Sequence, residues 1–226
     1  MAQVDAITAR ISYRDVLSNH KLSGLLVGFL IGLLGGTLNC SRSPVSKSSP
    51  DYMKAVEDAR KAKDKSFKEE TTSPIPVTAK PSFTGLAYYP IDPQFRIEIV
   101  AQPFGQHDTV EMLTSSGEVR SYLRYAFADF PVAGQRARLT IYALKKEGRV
   151  HYFLPFKDST NGTETYPAGR YLEVEIDSQW RTVLDFNKAY NPYCAYNRDY
   201  SCPIPPGENF LKIPIRAGER YLEVKS

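Results

Sequence analysis

The sequence contains few of the residues that usually build metal centres and disulfide scaffolds. Its 226 residues include only three cysteines and three histidines. So few cysteines exclude a disulfide-dense scaffold, and so few histidines leave little to hold a transition metal. Basic residues outnumber acidic ones by only 29 to 25, and this net charge of +4 is too small for a nucleic-acid-binding protein. We therefore expect no metal site, no cofactor and no nucleic-acid partner.

The motifs of common catalytic mechanisms are also missing from the sequence. It has no Gly-x-Ser-x-Gly elbow, no glycine-rich phosphate loop and no His-Glu-x-x-His motif. His107 and His151 stand alone, and His151 takes an outward position in a predicted strand. A thiol enzyme would need Cys194 or Cys202 free beside a histidine. These absences leave no established catalytic class favoured.

What the sequence does have near its start is an uncharged apolar run. Residues 22–38 read LSGLLVGFLIGLLGGTL, with Arg10, Arg14 and Lys21 before the run and Cys40 just after it. A charged start, an apolar middle and a cysteine at the exit are typical of a bacterial lipoprotein signal, which predicts lipidation of Cys40. We therefore interpret residues 1–40 as a signal or membrane-anchor segment and residues 41–50 as a Ser/Pro-rich tether.

Two other interpretations of this run stay open. As an uncleaved helix, its seventeen residues span roughly 25 Å at about 1.5 Å per residue, near the lower limit for a bilayer. Glycines recur every fourth position on one helix face, a spacing that lets helices pack closely. The third interpretation is a buried helix of a globular domain. In the two membrane interpretations the basic residues stay inside, so the rest of the chain faces the periplasm or the cell exterior.

After the tether, the sequence predicts one helix followed by a β domain. Residues 51–70 place Tyr52, Val56 and Ala59 at helical spacing among many charges, which indicates a solvated helix on the domain edge. Residues 71–226 then alternate apolar and polar side chains in short runs separated by turn signals. This pattern predicts an all-β fold, an antiparallel sandwich or barrel-like domain.

The predicted strands differ in how clearly their faces alternate. In one of them Val119, Leu123, Tyr125 and Phe127 share the apolar face. The complete set of predicted strands is residues 95–99, 119–127, 137–143, 150–156, 172–176, 180–186, 211–215 and 221–224.

Specific short motifs between residues 73 and 219 resemble a known family, the bacterial domain of unknown function 1684 family. The resemblance covers about residues 50 to 224 and implies a mostly β domain, with no established activity. The motifs that carry it are Ser73-Pro74, Phe83-Thr84-Gly85-Leu86, Tyr88, Leu154-Pro155-Phe156, Asp158, Thr160, Glu164-Thr165-Tyr166, Gly169-Arg170-Tyr171, Asp185-Phe186-Asn187, Ala189-Tyr190-Asn191-Pro192, Cys194, Cys202-Pro203, Pro205-Pro206, Glu208-Asn209 and Ala217-Gly218-Glu219.

Several carboxylates lie among the aromatic residues and glycines of this region. Asp158, Glu164 and Asp185 are candidates for a catalytic acid–base pair, which needs two carboxylates in one cleft. Asp158 and Asp185 also have the ligand chemistry of a calcium site, although the alternating acidic ligands of a calcium loop are missing. The structural interpretation is that these residues cap turns and that Arg170 pairs with a buried carboxylate.

Tyrosines and amides crowd the same region, which suggests a site for a polar ligand. Aromatic faces beside amides and carboxylates suit sugars or other polar organic molecules. The alternative is that the tyrosines cover a loop-rich end of the domain, with their rings inward and their hydroxyls in water. The candidate ligand-binding residues are Tyr166, Arg170, Asn187, Tyr190, Asn191 and Glu208.

Cys194 and Cys202 are the two cysteines left if Cys40 carries lipid. Seven residues separate them, and residues 197–199 suit a turn. If the chain is exported to an oxidising compartment, we therefore predict a disulfide between them. Two buried reduced thiols are the alternative, and a zinc site that brings in His107 and His151 is a weaker one.

The sequence leaves three hypotheses for function. The first is a membrane-anchored envelope domain that binds a small polar ligand or an envelope protein. The second is a hydrolase with a carboxylate pair such as Asp158 with Asp185 or Glu164. The third is a structural envelope subunit without a small ligand.

Overall fold

The described chain begins with one long helix. The computed structural model describes residues 49–146 and 148–221, so the predicted signal or anchor segment, with Cys40, lies outside the described residues. Helix α1 (Pro50–Glu69) has Ser49 as its N-cap, and the side-chain oxygen of Ser49 accepts a hydrogen bond from the Tyr52 N–H at 3.1 Å. Pro50 suits the first helical position because it has no N–H to satisfy. No helix in the described ranges is long and apolar enough to cross a membrane.

The described residues form eight strands in two antiparallel sheets. Strands β1 (Arg96–Val100) and β8 (Arg181–Asp185) pair as a two-stranded sheet. The strands of the larger sheet are β2 (Gln102–Pro103), β3 (Thr109–Leu113), β4 (Val119–Val132), β5 (Gln135–Lys146), β6 (Arg149–Phe156) and β7 (Arg170–Val174). This sheet runs β4-β5-β6-β7, and both β2 and β3 pair along the other edge of β4. The described part of the chain is therefore a mostly antiparallel β-sheet domain with one α-helix.

The main hydrophobic core lies between the two sheets. Strand β1 approaches β4, and β8 approaches β7, so the small sheet lies across one face of the large one. Fully buried side chains from both sheets, such as Leu139, Leu154 and Leu184, meet in this core. The irregular chain after β8 adds Ile213 and Ile215. Burial of these apolar side chains is the main driving force that holds the layers together.

A β-bulge in β4 corrects one of the predicted faces. The register between β4 and β5 shifts between Arg124 and Ala126, which leaves Tyr125 as the extra residue. After the bulge the inward positions are Ala126, Ala128 and Phe130, so the predicted inward side chain of Phe127 lies on the opposite face. The Arg138 guanidinium covers the Phe127 ring there, 4.2 Å from its centroid. The prediction that Phe127 belongs to the core face was therefore wrong.

The predicted strand at residues 211–215 is also wrong, although its apolar side chains are buried. The Leu211 N–H donates to the Lys157 carbonyl oxygen at 2.8 Å, just after β6, but the pairing does not continue because side chains bond the backbone of Ile215. The Ile215 N–H donates to Asp158 Oδ1 at 3.3 Å, and the Ile215 carbonyl oxygen accepts from Arg170 Nη2 at 2.7 Å. Pro214 has no N–H for a ladder hydrogen bond. Tyr221 is also outside any strand, and residues 222–224 lie outside the described residues.

A second apolar layer covers the other face of the large sheet. Rings of Tyr122, Tyr142, Phe153 and Tyr171 pack there with Cys202. The chain after β8 supplies the cover of this layer, and Tyr171 exchanges backbone hydrogen bonds with Tyr190. Three tyrosines of the tyrosine-rich segment, Tyr171, Tyr190 and Tyr200, therefore pack against the sheet.

The chain after β8 also returns close to itself at Gly218. Its φ of +77° lies in the left-handed region that favours glycine, and a Cβ here would clash with the carbonyl oxygens of Phe186 and Ala189. The Glu219 N–H then donates to the Ala189 carbonyl oxygen at 2.8 Å. This close approach fixes Glu219 beside residues 187–190, where helix α1 also packs.

Candidate functional site

A cavity of about 210 Å³ lies between helix α1 and residues 187–190. One wall is the α1 face that carries Arg60 and Lys63, and the other comes from the chain after β8. The complete lining is Val56, Ala59, Arg60, Lys63, Tyr88, Asn187, Lys188, Ala189, Tyr190 and Glu219. The spacing of the four helix residues, three and four apart, puts them on one side of α1.

Arg60 ties the helix to the domain at the edge of this cavity. Its Nη1 donates to the Tyr89 carbonyl oxygen at 2.9 Å, and its Nη2 donates to the Asn187 carbonyl oxygen at 3.1 Å. The guanidinium also stacks over the Tyr88 ring, 4.5 Å from its centroid. Of the remaining donors, Nε–H is buried and has no hydrogen-bond acceptor among the described residues.

Lys63 and Glu219 form an ion pair across the cavity wall. The Lys63 Nζ lies 2.5 Å from Glu219 Oε1, and Glu219 is only 1% exposed. The second carboxylate oxygen accepts from the Asn191 N–H at 2.8 Å and from the Tyr196 hydroxyl at 2.9 Å. Both oxygens of Glu219 are thus occupied, so this carboxylate is held in place as a fixed negative charge.

Tyr88 contributes the second unpartnered donor of the lining. Its hydroxyl is buried and has no hydrogen-bond partner within the described part of the chain. Burial raises the pKa of Tyr88 above its usual value, so the hydroxyl keeps its proton at neutral pH. A buried polar hydrogen without an acceptor is costly, and such groups commonly mark a place where a ligand or water is bound.

Asn187 connects the cavity to a buried polar network behind it. Its Nδ2 donates to the Tyr52 hydroxyl at 3.0 Å and to the Asp92 carbonyl oxygen at 2.8 Å. The Tyr52 hydroxyl in turn donates to Asp185 Oδ1 at 2.8 Å. Burial, together with Asp185, raises the pKa of Tyr52. This network holds the first turn of α1 against the end of β8.

Two more of the predicted ligand residues lie at or next to the cavity. The Tyr190 ring lines it, with the Lys63 ammonium 4.9 Å from the ring centroid, and its hydroxyl donates to Glu173 Oε1 at 2.5 Å. Asn191 is fully buried behind Glu219 and donates to the Tyr196 hydroxyl at 3.1 Å. The structure therefore brings Asn187, Tyr190 and Asn191 together.

Arg170 lies outside the cavity, in a buried ion pair. Its Nη2 lies 2.8 Å from Asp158 Oδ2, and both side chains are fully buried. The guanidinium also donates to the carbonyl oxygens of Ile215 and Ala217, at 2.7 and 2.5 Å. The Asp158 Oδ1 accepts from the Thr160 hydroxyl at 2.6 Å. This geometry agrees with the structural interpretation of Arg170 and leaves it without access to a ligand in the cavity.

Glu208 and Tyr166 have partners elsewhere on the domain. Glu208 accepts two hydrogen bonds from Arg124, at 3.1 and 2.6 Å, and one from the Tyr142 hydroxyl. The Tyr166 hydroxyl donates to Cys194 Sγ at 3.9 Å. These two predicted ligand residues therefore do not join the cavity.

The three catalytic candidates are each bonded to a different group. Asp158 pairs with Arg170, and Asp185 accepts from Tyr52. Glu164 accepts from Arg216 Nη2 at 2.8 Å and from the Tyr89 hydroxyl at 3.0 Å. The hydrogen bonds from Arg216 lower the pKa of Glu164, which is the wrong direction for a general acid at neutral pH.

Cys194 and Cys202 are adjacent free thiols in the structure. The Cys194 N–H donates to Cys202 Sγ at 3.2 Å, and Cys202 is the more buried of the two. The predicted disulfide is not formed here, and whether oxidation forms it stays a prediction. The part of the chain that the structure describes contains no cluster of three or more His, Cys, Asp or Glu side chains able to hold a metal ion.

The sequence reasoning missed Arg60, Lys63 and Tyr88 as cavity residues. The charges of α1 were interpreted as solvent-facing, although Arg60 and Lys63 lie four and seven positions after Val56 and so share its buried face. That spacing was the sequence pattern that could have identified the two helix residues. No such pattern shows that the Tyr88 hydroxyl lacks a partner, because only the fold reveals it.

The fold and the cavity define a mostly antiparallel β-sheet domain closed on one side by a helix. The chain belongs to the family described as "Protein of unknown function (DUF1684)", whose model matches residues 81–220. This confirms the family predicted from the motifs. Helix α1 lies outside the matched residues. No curated protein matches the chain.

One solved structure is similar over most of this chain. It is the solution NMR structure of an uncharacterized protein from Haloarcula marismortui, with 35% sequence identity and a TM-score of 0.59. The match covers 75% of this chain and 94% of the other. The Haloarcula marismortui protein is uncharacterized and the family has no known function. Any function of this chain must therefore be argued from the candidate site.

Proposed function

We propose that this domain binds a small polar ligand in the cavity between α1 and residues 187–190. The proposal rests on two buried donors, Arg60 Nε–H and Tyr88 O–H. Both belong to side chains that line the cavity, and neither has an acceptor among the described residues. Each unpaired buried donor costs on the order of 1 to 3 kcal/mol, which a bound acceptor would relieve.

The hydrogen bonds and ion pairs of the three candidate carboxylates favour a ligand-binding function over a hydrolase. A hydrolase needs two carboxylates that share a cleft and have separated pKa values. Asp158 and Glu164 are each paired with an arginine, and Asp185 is bonded to a tyrosine. These partners stabilise the fold and leave no free acid–base pair among the three.

The cellular location of the domain is part of the same proposal. We propose that residues 1–40 anchor the chain to a membrane, with the β domain on the periplasmic or exterior side. The support is the uncharged run at residues 22–38, the basic residues before it and Cys40 after it. A structural envelope subunit would share this location but would not need the cavity.

A titration of the full-length protein in detergent tests the binding proposal. The probes are butyrate, butylamine, glycerol and inorganic phosphate, followed by NMR shifts of side chains lining the cavity and by the thermal midpoint. Binding of one probe, weakened in Tyr88→Phe and unchanged in Tyr193→Phe, supports the proposal. Tyr193 is a suitable control because it is partly exposed and outside the lining. If no probe shifts the cavity signals at 10 mM (a limit near 3 kcal/mol of affinity), the proposal is wrong.

A further inference from the structure

The chemistry of the cavity lining identifies a class of ligand. We propose that the ligand is a short-chain carboxylic acid, with its carboxylate held by Arg60, Lys63 and Tyr88 and its hydrocarbon part against Val56 and the Tyr190 ring. This inference rests on the proposed function, because it assigns a ligand to the same cavity. Hydrogen bonding, charge, apolar surface and volume each support it.

The cavity offers donors rather than acceptors. The two donors without partners are Arg60 Nε–H and Tyr88 O–H. The Lys63 ammonium has three hydrogens, and its one recorded side-chain hydrogen bond is to Glu219. The carboxylate and amide acceptors of the lining are already used: Glu219 accepts on both oxygens, and Asn187 Oδ1 accepts from the Asp92 N–H at 2.9 Å. A ligand that only accepts hydrogen bonds therefore matches this wall, and an amine does not.

The charges of the lining also favour an anion. Its cations are Arg60, Lys63 and Lys188, and its one carboxylate is Glu219. Glu219 neutralises Lys63 at 2.5 Å, and Lys188 lies 3.6 Å from the carboxylate of Asp185. Arg60 is different because its direct hydrogen bonds go to neutral backbone carbonyl oxygens. The carboxylates of Glu219 and Asp185 act on this charge through space without bonding it, so an anionic ligand would supply a direct ion pair.

The remaining lining is apolar, which argues against a strongly hydrated anion. Val56, Ala59 and Ala189 contribute aliphatic surface, and Tyr88 and Tyr190 contribute ring faces. Phosphate has four oxygens and no apolar surface, so these walls would remove its water without replacing the lost hydrogen bonds. A carboxylate on a hydrocarbon chain places its polar end at the donors and its apolar end against these residues.

The volume of the cavity limits the length of the acid. A volume of about 210 Å³ equals that of roughly seven water molecules at about 30 Å³ each. About six to eight non-hydrogen atoms therefore fit, which corresponds to an acid of four to six carbons. A longer chain would have to extend out of the cavity.

Binding of such an acid should also hold α1 more firmly on the domain. Arg60 and Lys63 come from the helix, whereas Tyr88 and Tyr190 come from the β domain. A ligand that contacts both parts binds only the docked arrangement, and mass action then favours that arrangement. Protection of α1 from limited proteolysis is a readout that needs no knowledge of a biological role.

The experiment compares four-carbon and six-carbon probes of different chemistry on the full-length protein. Butyrate and hexanoate are titrated against the neutral isosteres butyramide and hexanamide, against butylamine and against inorganic phosphate. We expect the acids to bind at least tenfold more tightly than the amides, and to slow cleavage within α1. Tyr88→Phe and Arg60→Gln should each weaken the acids by about tenfold, which corresponds to about 1.4 kcal/mol, while Tyr193→Phe should leave the affinity unchanged.

The other outcomes separate the ligand class from the site. If phosphate or butylamine binds in the cavity and the acids do not, the carboxylate assignment is wrong and the proposed function stands. If no probe binds there, both fail. If the acids bind equally well to Tyr88→Phe and to wild type, they bind elsewhere, and the assignment is overturned. Tyr88→Phe keeps the test decisive even if Arg60→Gln releases the helix, because it removes one oxygen that bonds no described residue.

Discussion

Lys63 on α1 and Glu219 near the end of the described chain form an ion pair with 2.5 Å between Nζ and Oε1. The pair joins a helix that lies outside the family-matched residues to a glutamate inside them. Glu219 is itself fixed by Asn191 and Tyr196, so the helix binds to a rigid position. This contact makes α1 part of the site rather than a separate appendage.

Loss of the Lys63–Glu219 pair should destabilise the domain. Glu219→Gln removes the charge that three donors share, and each hydrogen bond should weaken by roughly 1 kcal/mol, the difference between a charged and a neutral acceptor. Because the Lys63 side chain is 26% exposed, solvent screening reduces its part, and we expect a total loss of about 2 kcal/mol. Urea unfolding measures this loss. The matched control is Lys54→Met, which breaks the exposed pair with Asp58 and should cause no measurable change. Equal stabilities of Glu219→Gln and wild type would show that the pair is unimportant.

Arg170 should be among the most destabilising arginines to replace. Arg170→Met leaves Asp158 charged and fully buried without its partner, which costs roughly 3 to 5 kcal/mol. Arg138→Met is the control, because its pair with Asp129 lies on the surface. Chemical denaturation compares the two variants. A loss of less than about 0.5 kcal/mol for Arg170→Met would contradict a structural role for the pair.

Arg170 also shows why the sequence predicted only part of the fold. Alternation of apolar residues predicts strands well when a neighbouring strand bonds the backbone, as in β5 and β6. Residues 211–215 have the same alternation, yet the side chains of Arg170 and Asp158 bond the backbone groups of Ile215. Sequence periodicity cannot show which partner a backbone group will find.

The bulge at Tyr125 is a second limit of the same kind. One extra residue in β4 moves every later side chain to the opposite face, so Phe127 leaves the core and Ala126 enters it. For the candidate site, tyrosine and asparagine content pointed to residues 187–191, which lie at or next to the cavity. The helix wall was missed because docking of α1 decides which of its charges face inward.

Cys194 and Cys202 should form a disulfide when the protein is oxidised. Their sulfurs are adjacent, and the hydrogen bond from the Cys202 thiol lowers the pKa of Cys194, so Cys194 carries more thiolate at neutral pH than an ordinary cysteine. Since alkylation requires the thiolate, iodoacetamide should modify Cys194 faster than a model thiol below about pH 8. This advantage should shrink as the pH rises toward the usual thiol pKa.

Mass spectrometry of the non-reduced protein tests the bond itself. A peptide pair joined through the two sulfurs confirms the disulfide, and Cys202→Ala should abolish the pair and slow the alkylation of Cys194. Complete alkylation of both cysteines without a reductant, in protein taken directly from its native compartment, would refute the disulfide.

Cys40 should carry lipid in the mature protein. The motivation is the uncharged run that ends two residues before it, which is typical of a lipoprotein signal. Labelled fatty acid should enter the wild-type protein and not Cys40→Ser. Residues 1–39 still attached to the membrane-bound protein would exclude processing at Cys40 and favour the uncleaved helix.

The most direct test of the binding site is the stability of Tyr88→Phe with and without butyrate. The hydroxyl of Tyr88 is buried without a described partner, so its removal should keep or raise the stability of the ligand-free protein, by up to about 1 kcal/mol. Butyrate should raise the unfolding free energy of wild type more than that of Tyr88→Phe, because the variant binds the acid about tenfold more weakly. If Tyr88→Phe is clearly less stable than wild type without ligand, and if butyrate stabilises both proteins equally, the cavity at Tyr88 is not the binding site.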